Sequence, residues 1–165
     1  MDINEEYLAA FFGRNADYYL GKWRAWQGGQ RISFNGGAFF AGIFWVLYRR
    51  MYWVAGLIML CLVAEAEAEE WLLHRFSFPL APESQSRTIV VNVLSATILS
   101  ACANWMYLAY ARRKITKVLR TETSEEAILR KLRRQGGTSW TFFIVAAVLV
   151  VGIMGLICRY PQYFQ

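Results

Sequence analysis

The sequence holds one histidine, three prolines and three cysteines in 165 residues, and only 18% of it is charged. A single histidine leaves no His-Glu-x-x-His pair. No phosphate-cradling glycine loop and no Gly-x-Ser-x-Gly turn occurs either, so the common metal, nucleotide and acyl-transfer chemistries have no motif to stand on. Cys61, Cys102 and Cys158 lie one to an apolar segment without Cys-x-x-Cys spacing. That excludes a disulfide framework and reads as three small buried hydrophobes. So few prolines, beside twelve glycines, also exclude collagen-like and disordered chains. The expectation is a protein that is not an enzyme and needs no cofactor.

What is abundant is apolar. The chain is 56% hydrophobic and 16% aromatic with a mean hydropathy of +0.25, too apolar for an ordinary soluble domain. The net charge of +6 fits a membrane protein that keeps lysine and arginine on its cytoplasmic side. Thr88 to Ala111 runs 24 residues and Thr138 to Cys158 runs 21 without a charged side chain, against about 20 needed to cross a bilayer as a helix. Phe34 to Tyr48 is apolar for only 15 residues and Met51 to Ala64 for 14. The second reaches spanning length if its helix continues to about Leu73, with Trp71 at an interface. The first is bounded by Asn35-Gly36-Gly37 and Arg49-Arg50, which suits an interfacial or re-entrant helix.

Charge separates the topologies. If Phe34–Tyr48 only dips into the membrane, 15 of the 18 lysines and arginines share the cytoplasmic side; if it crosses, 11 do. The predicted fold is therefore an all-α polytopic membrane protein with three full spans plus one short re-entrant or interfacial aromatic helix, the alternative being four spans. Residues 1–33 form a cytoplasmic aromatic segment and 34–165 the membrane domain, with a basic cytoplasmic helical hairpin at 112–137. No cleavable signal is expected. The N-terminal segment reads as two helices, the first capped by Asp2, the second opened at Asn15 after Gly13 and closed at Gly28-Gly29. In the hairpin, one helix continues through the bases at 112–120 and another restarts at a Thr123/Glu126 capping box and stops at Gly136-Gly137.

Three groups of residues invite a functional reading. Arg112, Arg113, Lys114, Lys117, Arg120, Arg130, Lys131, Arg133 and Arg134 make a surface for anionic lipid headgroups or a cytoplasmic protein partner. Nucleic acid is disfavoured, because no aromatic lies between Ile115 and Thr138 to stack a base. Asn92, Ser95, Ser100 and Asn104, with Gly152 and Gly155, are polar or small residues in apolar surroundings, read first as a helix interface and second as a polar path that Glu65 would join; because neighbouring segments offer them few matching polar groups, the expectation is a homo-oligomer whose interface includes the third segment. Glu65, Glu67, Glu69, Glu70 and His74 have i,i+4 spacings able to hold a metal, but a solvated helix end explains them more simply.

The run Phe12-Gly13-Arg14-Asn15-Ala16-Asp17-Tyr18-Tyr19, followed by the stretch from Ser33 to Tyr52 with Asn35, Gly42, Trp45, Tyr48, Arg49 and Arg50, resembles the signature of a family of uncharacterised bacterial inner-membrane proteins, a domain of unknown function. In that family a Tyr-Tyr helix precedes an Asn-aromatic-Ala-aromatic-Gly-Pro-aromatic-Trp stretch ending in Tyr-Arg-Lys-Met-Tyr. The resemblance covers about the first 55 residues. It departs at Ile43, where the family often has proline, and at Gly36-Gly37, where the family has a bulkier pair, so the helix break is expected to move to the start of that stretch. The resemblance implies an inner-membrane location and brings no activity. The leading expectation is a non-enzymatic sensor, adaptor or membrane-acting subunit, in envelope stress or defence, that pairs with itself or a partner. The rival is a small channel or transporter.

Overall fold

The computed structural model describes residues 3–76, 85–141 and 144. These residues form helices and their connections, with no strand among them. Helix α1 spans Glu5–Phe12, capped by Asn4, whose side chain accepts from the Glu6 N–H at 3.0 Å. The cap is therefore two residues later than Asp2. With Glu5 and Glu6 in the first turn it satisfies the exposed amides and the positive end of the helix. Gly13, at φ 61°, ends α1 as expected, and a short 3-10 turn leads into α2, Ala16–Gln27, which stops at Gly28. The two helices run antiparallel, tied at their open ends by Arg24, which donates two 2.8 Å hydrogen bonds to the Glu5 carboxylate.

The 34–48 stretch is a broken pair. Helix α3, Gly36–Ala41, is capped by Asn35, and α4, Ile43–Tyr48, follows directly after Gly42 at φ 54°. The break thus stays in the middle of the stretch, not at Gly36-Gly37. Gly42 supplies it because its backbone enters a region that other residues avoid, and proline at 43 is not required. Six residues rise only about 9 Å, so neither piece crosses a 30 Å layer. Arg50 then adopts φ 58°, held by Tyr110 Oη donating to its carbonyl at 3.1 Å, and the chain turns into α5, Tyr52–Phe76.

Helix α6, Gln85–Thr121, is the long axis of the molecule. Its 37 residues rise about 55 Å, nearly twice the thickness of a hydrocarbon core. The apolar third segment and the first half of the basic hairpin are one continuous helix, as expected. Among the described residues, this is the one helix long and apolar enough to cross a membrane, within Ile89–Thr121; the apolar part of α5, Tyr52–Glu65, is shorter. Helix α7, Glu125–Gln135, restarts with Ser124 in the cap position and no side-chain cap bond, so the Thr123/Glu126 capping box does not form. Gly136 ends it against α1. A Cβ there would overlap the Phe11 carbonyl, and the Gly137 N–H donates to that carbonyl at 2.7 Å. Of the fourth apolar segment only residues 138–141 and 144 are described, and Gly152, Gly155 and Cys158 lie outside them.

The core is aromatic and lies at one end of α6. Leu8, Phe11, Phe12, Tyr19 and Trp23 from α1 and α2 close on Tyr107, Leu108, Ala111, Ile115 and Val118, with Ala38, Trp45, Val46 and Met51 on another side and Ile128 and Leu132 of α7 on a third. From Ile89 onward, every buried residue of α6 falls between Ser100 and Val118. Ile89, Val90, Val93, Leu94 and Ile98 are exposed. The cap thus wraps one half of the helix and leaves the other bare.

Candidate functional site at the basic end of the long helix

Two of the polar residues expected to line a path or an interface are consumed inside the chain. Ser100 and Asn104, one turn apart on α6 and both buried, receive the segment that enters α3. Ser100 Oγ accepts from the Asn35 N–H at 3.1 Å and donates to the Asn35 carbonyl at 2.9 Å. Asn35 Nδ2 donates to Asn104 Oδ1 at 2.7 Å, and Asn104 Nδ2 reaches Ser33 Oγ at 2.9 Å and Tyr18 Oη at 3.1 Å. These bonds satisfy groups that are costly to leave unpaired away from water. Neither the fourth segment nor a second copy is needed for them. Asn92 is exposed and Ser95 half-buried, on the bare part of the same helix.

The residues of the family pattern meet at this junction. Tyr18 and Asn35 belong to the polar cluster. Gly42 makes the break. Trp45 is buried, its ring 6.1 Å from that of Tyr107. Arg49 is buried as well, its guanidinium carbon 4.6 Å from the ring centroid of Tyr19, 5.2 Å from Tyr107 and 5.9 Å from Tyr48. Its Nε and Nη1 make no hydrogen bond, so the charge is met by ring faces, an arrangement that contributes about 2 kcal/mol when desolvated. Burial pushes the Tyr19 hydroxyl pKa up, with the Arg49 charge pulling the other way. The neighbouring Arg50 does a different job, its Nη1 donating to the Arg134 carbonyl at 2.6 Å and so tying the α4–α5 corner to the end of α7.

Beyond the junction the surface is cationic. Arg112, Arg113, Lys117 and Arg120 lie on the exposed face of α6 and share a groove of about 800 Å³ with Arg31, Trp26 and Trp105. Its lining holds five bases and no acid. Arg112 sits 5.9 Å from the Trp26 ring. Lys114 turns toward Tyr110, at 5.5 Å, and lies outside the groove. On α7, Lys131 pairs with Glu122 at 2.6 Å, while Arg130, Arg133 and Arg134 are exposed. The bases singled out from sequence therefore split into a groove, a lysine on the Tyr110 ring, a lysine paired with Glu122 and an open strip. Trp26, Arg31 and Trp105 were absent from that set. The signal for Trp105 was present, since it precedes Arg112 by seven residues on one helical face; Trp26 and Arg31 arrive from another helix and a loop. Two tryptophans beside the bases also remove the absence of aromatics as an argument against a stacking partner.

Glu65 and Glu67 are exposed on α5. No group of metal-ligating side chains gathers among the described residues, and the side chains of Glu69, Glu70 and His74 lie outside that description. Cys61 and Cys102 are free thiols, the first exposed rather than buried.

An all-helical chain with a candidate membrane helix, wrapped at one end by an aromatic and basic cap, is the class that fold and site define. Residues 9–113 match the family model described as Protein of unknown function (DUF2628), and the chain belongs to that family. The match extends well past the stretch whose motif is readable, from the last turns of α1 to the first bases of α6. No curated protein and no solved structure matches the chain.

Proposed function

We propose that the protein is a non-enzymatic resident of the bacterial inner membrane, with its N-terminus and the 112–137 hairpin in the cytoplasm. The single observation that carries this reading is the division of α6 into an exposed apolar half and a wrapped, basic half. In water the apolar half is a liability; in a bilayer it is in its preferred solvent, and the bases then lie where cytoplasmic positive charge belongs. Three spans serve this reading best: α5 through its apolar half, α6, and the 138–158 segment, with α3 and α4 as a short interfacial element whose Phe34, Phe40 and Phe44 are exposed. Anionic headgroups are the first partner of the basic face.

The function that follows is that of a sensor, adaptor or membrane-acting subunit in envelope stress or defence, presenting its cytoplasmic cap to a second copy or a protein partner. The bonds that hold Asn104 and Ser100 favour this over a conduction path, since a residue committed to Asn35, Tyr18 and Ser33 is not free to pass a solute. Single-cysteine labelling in a Cys-less background tests the topology. Thiols at Arg24→Cys and Arg120→Cys are both expected to be protected from a membrane-impermeant reagent in spheroplasts and to react in inverted vesicles. Labelling of Arg24→Cys alone from the periplasm would put the N-terminus outside and require a fourth span.

A further inference from the structure

We infer that the groove beneath Trp26 and Trp105 is a binding site for one anionic phospholipid whose headgroup carries two phosphates. The site rests on the membrane reading above and adds to it a defined ligand. Leu94, Ile98 and Trp105 are exposed and follow one another at helical spacing on the face that continues into Arg112 and Thr116. One stripe of α6 thus runs from bare hydrocarbon surface, past an indole, into the bases. An acyl chain laid along Leu94 and Ile98 brings its headgroup to the groove without a bend, and Trp105 sits where tryptophan is favoured, at the level between chain and headgroup.

The charge of the groove selects the headgroup. Arg31, Arg112, Arg113, Lys117 and Arg120 line it with no carboxylate among them. From Arg112 to Arg120 the helix rises about 12 Å, so one phosphate can engage only one end of the row and leaves the remaining cations repelling each other. Two phosphates carried on one headgroup lie a few Å apart, and the long side chains from both ends of the row can converge on them. Guanidinium groups suit them, because their planar fork donates two hydrogen bonds to a single phosphate. The volume of about 800 Å³ accommodates such a group beside the indoles. The loop that carries Arg31 is held to α6 by the Ser33 N–H donating to the Ala101 carbonyl at 3.3 Å and by the Ser33 bond to Asn104, so the far wall of the groove is built rather than loose.

Native mass spectrometry of the full chain in detergent micelles measures this directly, by titrating a tetra-acyl lipid with two phosphates, phosphatidylglycerol and phosphatidylcholine. The bisphosphate lipid is expected to bind as a single copy and at least tenfold more tightly than phosphatidylglycerol. Replacing three exposed groove bases, in R113Q/K117Q/R120Q, is expected to weaken it by at least about tenfold, since each base near a headgroup contributes appreciably. The control R14Q/R75Q, at exposed bases away from the groove, is expected to change it less than twofold. Equal affinity for the two anionic lipids, or equal losses in the two variants, overturns the proposal in favour of diffuse attraction. Displacement by equimolar inorganic pyrophosphate overturns it in favour of a soluble ligand. Micelle binding reads the groove whether or not the protein spans a bilayer, and resistance of the cellular protein to alkaline carbonate extraction scores the membrane reading separately.

Discussion

The two halves of α6 are made from one uninterrupted helix and live by opposite rules. From Ile89 to Leu99 no residue is buried and the exposed side chains include Val90, Val93, Leu94 and Ile98. From Ser100 onward α1, α2, α3 and α7 pack on it, and its inward face becomes Ala103, Tyr107, Ala111, Ile115 and Val118. Polar residues follow the same division. Asn92 is exposed, whereas Asn104, twelve residues on, is buried with four partners in reach. The lesson is that a polar residue in an apolar run has no meaning by itself; the packing around it decides whether it is an interface, a path or a clamp.

The sharpest contrast comes from making one substitution in each half. Asn104→Leu leaves the buried Asn35 Nδ2 without its partner, together with the half-buried Ser33 Oγ and the exposed Tyr18 Oη, and an unpaired buried group costs about 1–3 kcal/mol. A loss of about 2–3 kcal/mol is expected, read as a drop in Tm in detergent and detachment of α3 from α6 in proteolysis. Asn92→Leu is expected to stay within about 0.5 kcal/mol of the wild type. Similar losses in both would erase the distinction between the halves.

Arg49 probes the wrapped half from inside. Its planar guanidinium lies against three tyrosine rings without hydrogen bonds from Nε or Nη1. Arg49→Lys keeps the charge but concentrates it on a strongly hydrated ammonium that cannot spread over those faces. A loss of about 2 kcal/mol is expected, against no measurable change for the exposed Arg113→Lys. An unchanged Tm for Arg49→Lys would mean that the rings are not what holds the charge.

Much of the helix order was readable in the chain. Gly13, Gly28 and Gly136 end helices where the sequence places stops, and α6 runs through its bases to Thr121 as the unbroken pattern implied. The details that failed are local competitions between neighbours of similar chemistry, Asn4 for Asp2, Ser124 for Thr123, and Gly42 for Gly36-Gly37. The site was harder to see for another reason. Asn35 and Asn104 are 69 residues apart, and Arg31 and Trp26 join Arg112 across a similar distance. Helical period reports which residues share a face, and it carries no information about what arrives on that face from elsewhere. The residues of the family pattern from Tyr18 to Arg50 were recognisable as a set, yet what they share, docking the broken helix pair and the corner after it onto α6, is visible only once folded.

The smallest effect is at the rim of the cap. Arg24 donates both its bonds to Glu5 and holds that carboxyl below its usual pKa of 4.5. Because the folded-state pKa lies below the unfolded one, the pair's stabilisation is present above about pH 4.5 and is lost as pH falls through the folded value. Both side chains are exposed, so the contribution is small and weakened by salt. Between about pH 6 and 3 the Tm of the wild type is expected to fall slightly further than that of Glu5→Gln. Identical slopes would show that the pair adds nothing.

Spin labels placed one at a time along α6 in reconstituted vesicles test most directly that its halves occupy different solvents. Labels at Val93, Leu94 and Ile98 are expected to collide with oxygen dissolved in the lipid and to be shielded from a water-soluble nickel chelate. Labels at Thr116, Lys117 and Arg120 are expected to show the reverse, with labels at Ala103 and Ala111 protected from both. Nickel accessibility at Val93 and Ile98 equal to that at Lys117 would contradict the division and return the apolar half of α6 to water or to a protein interface.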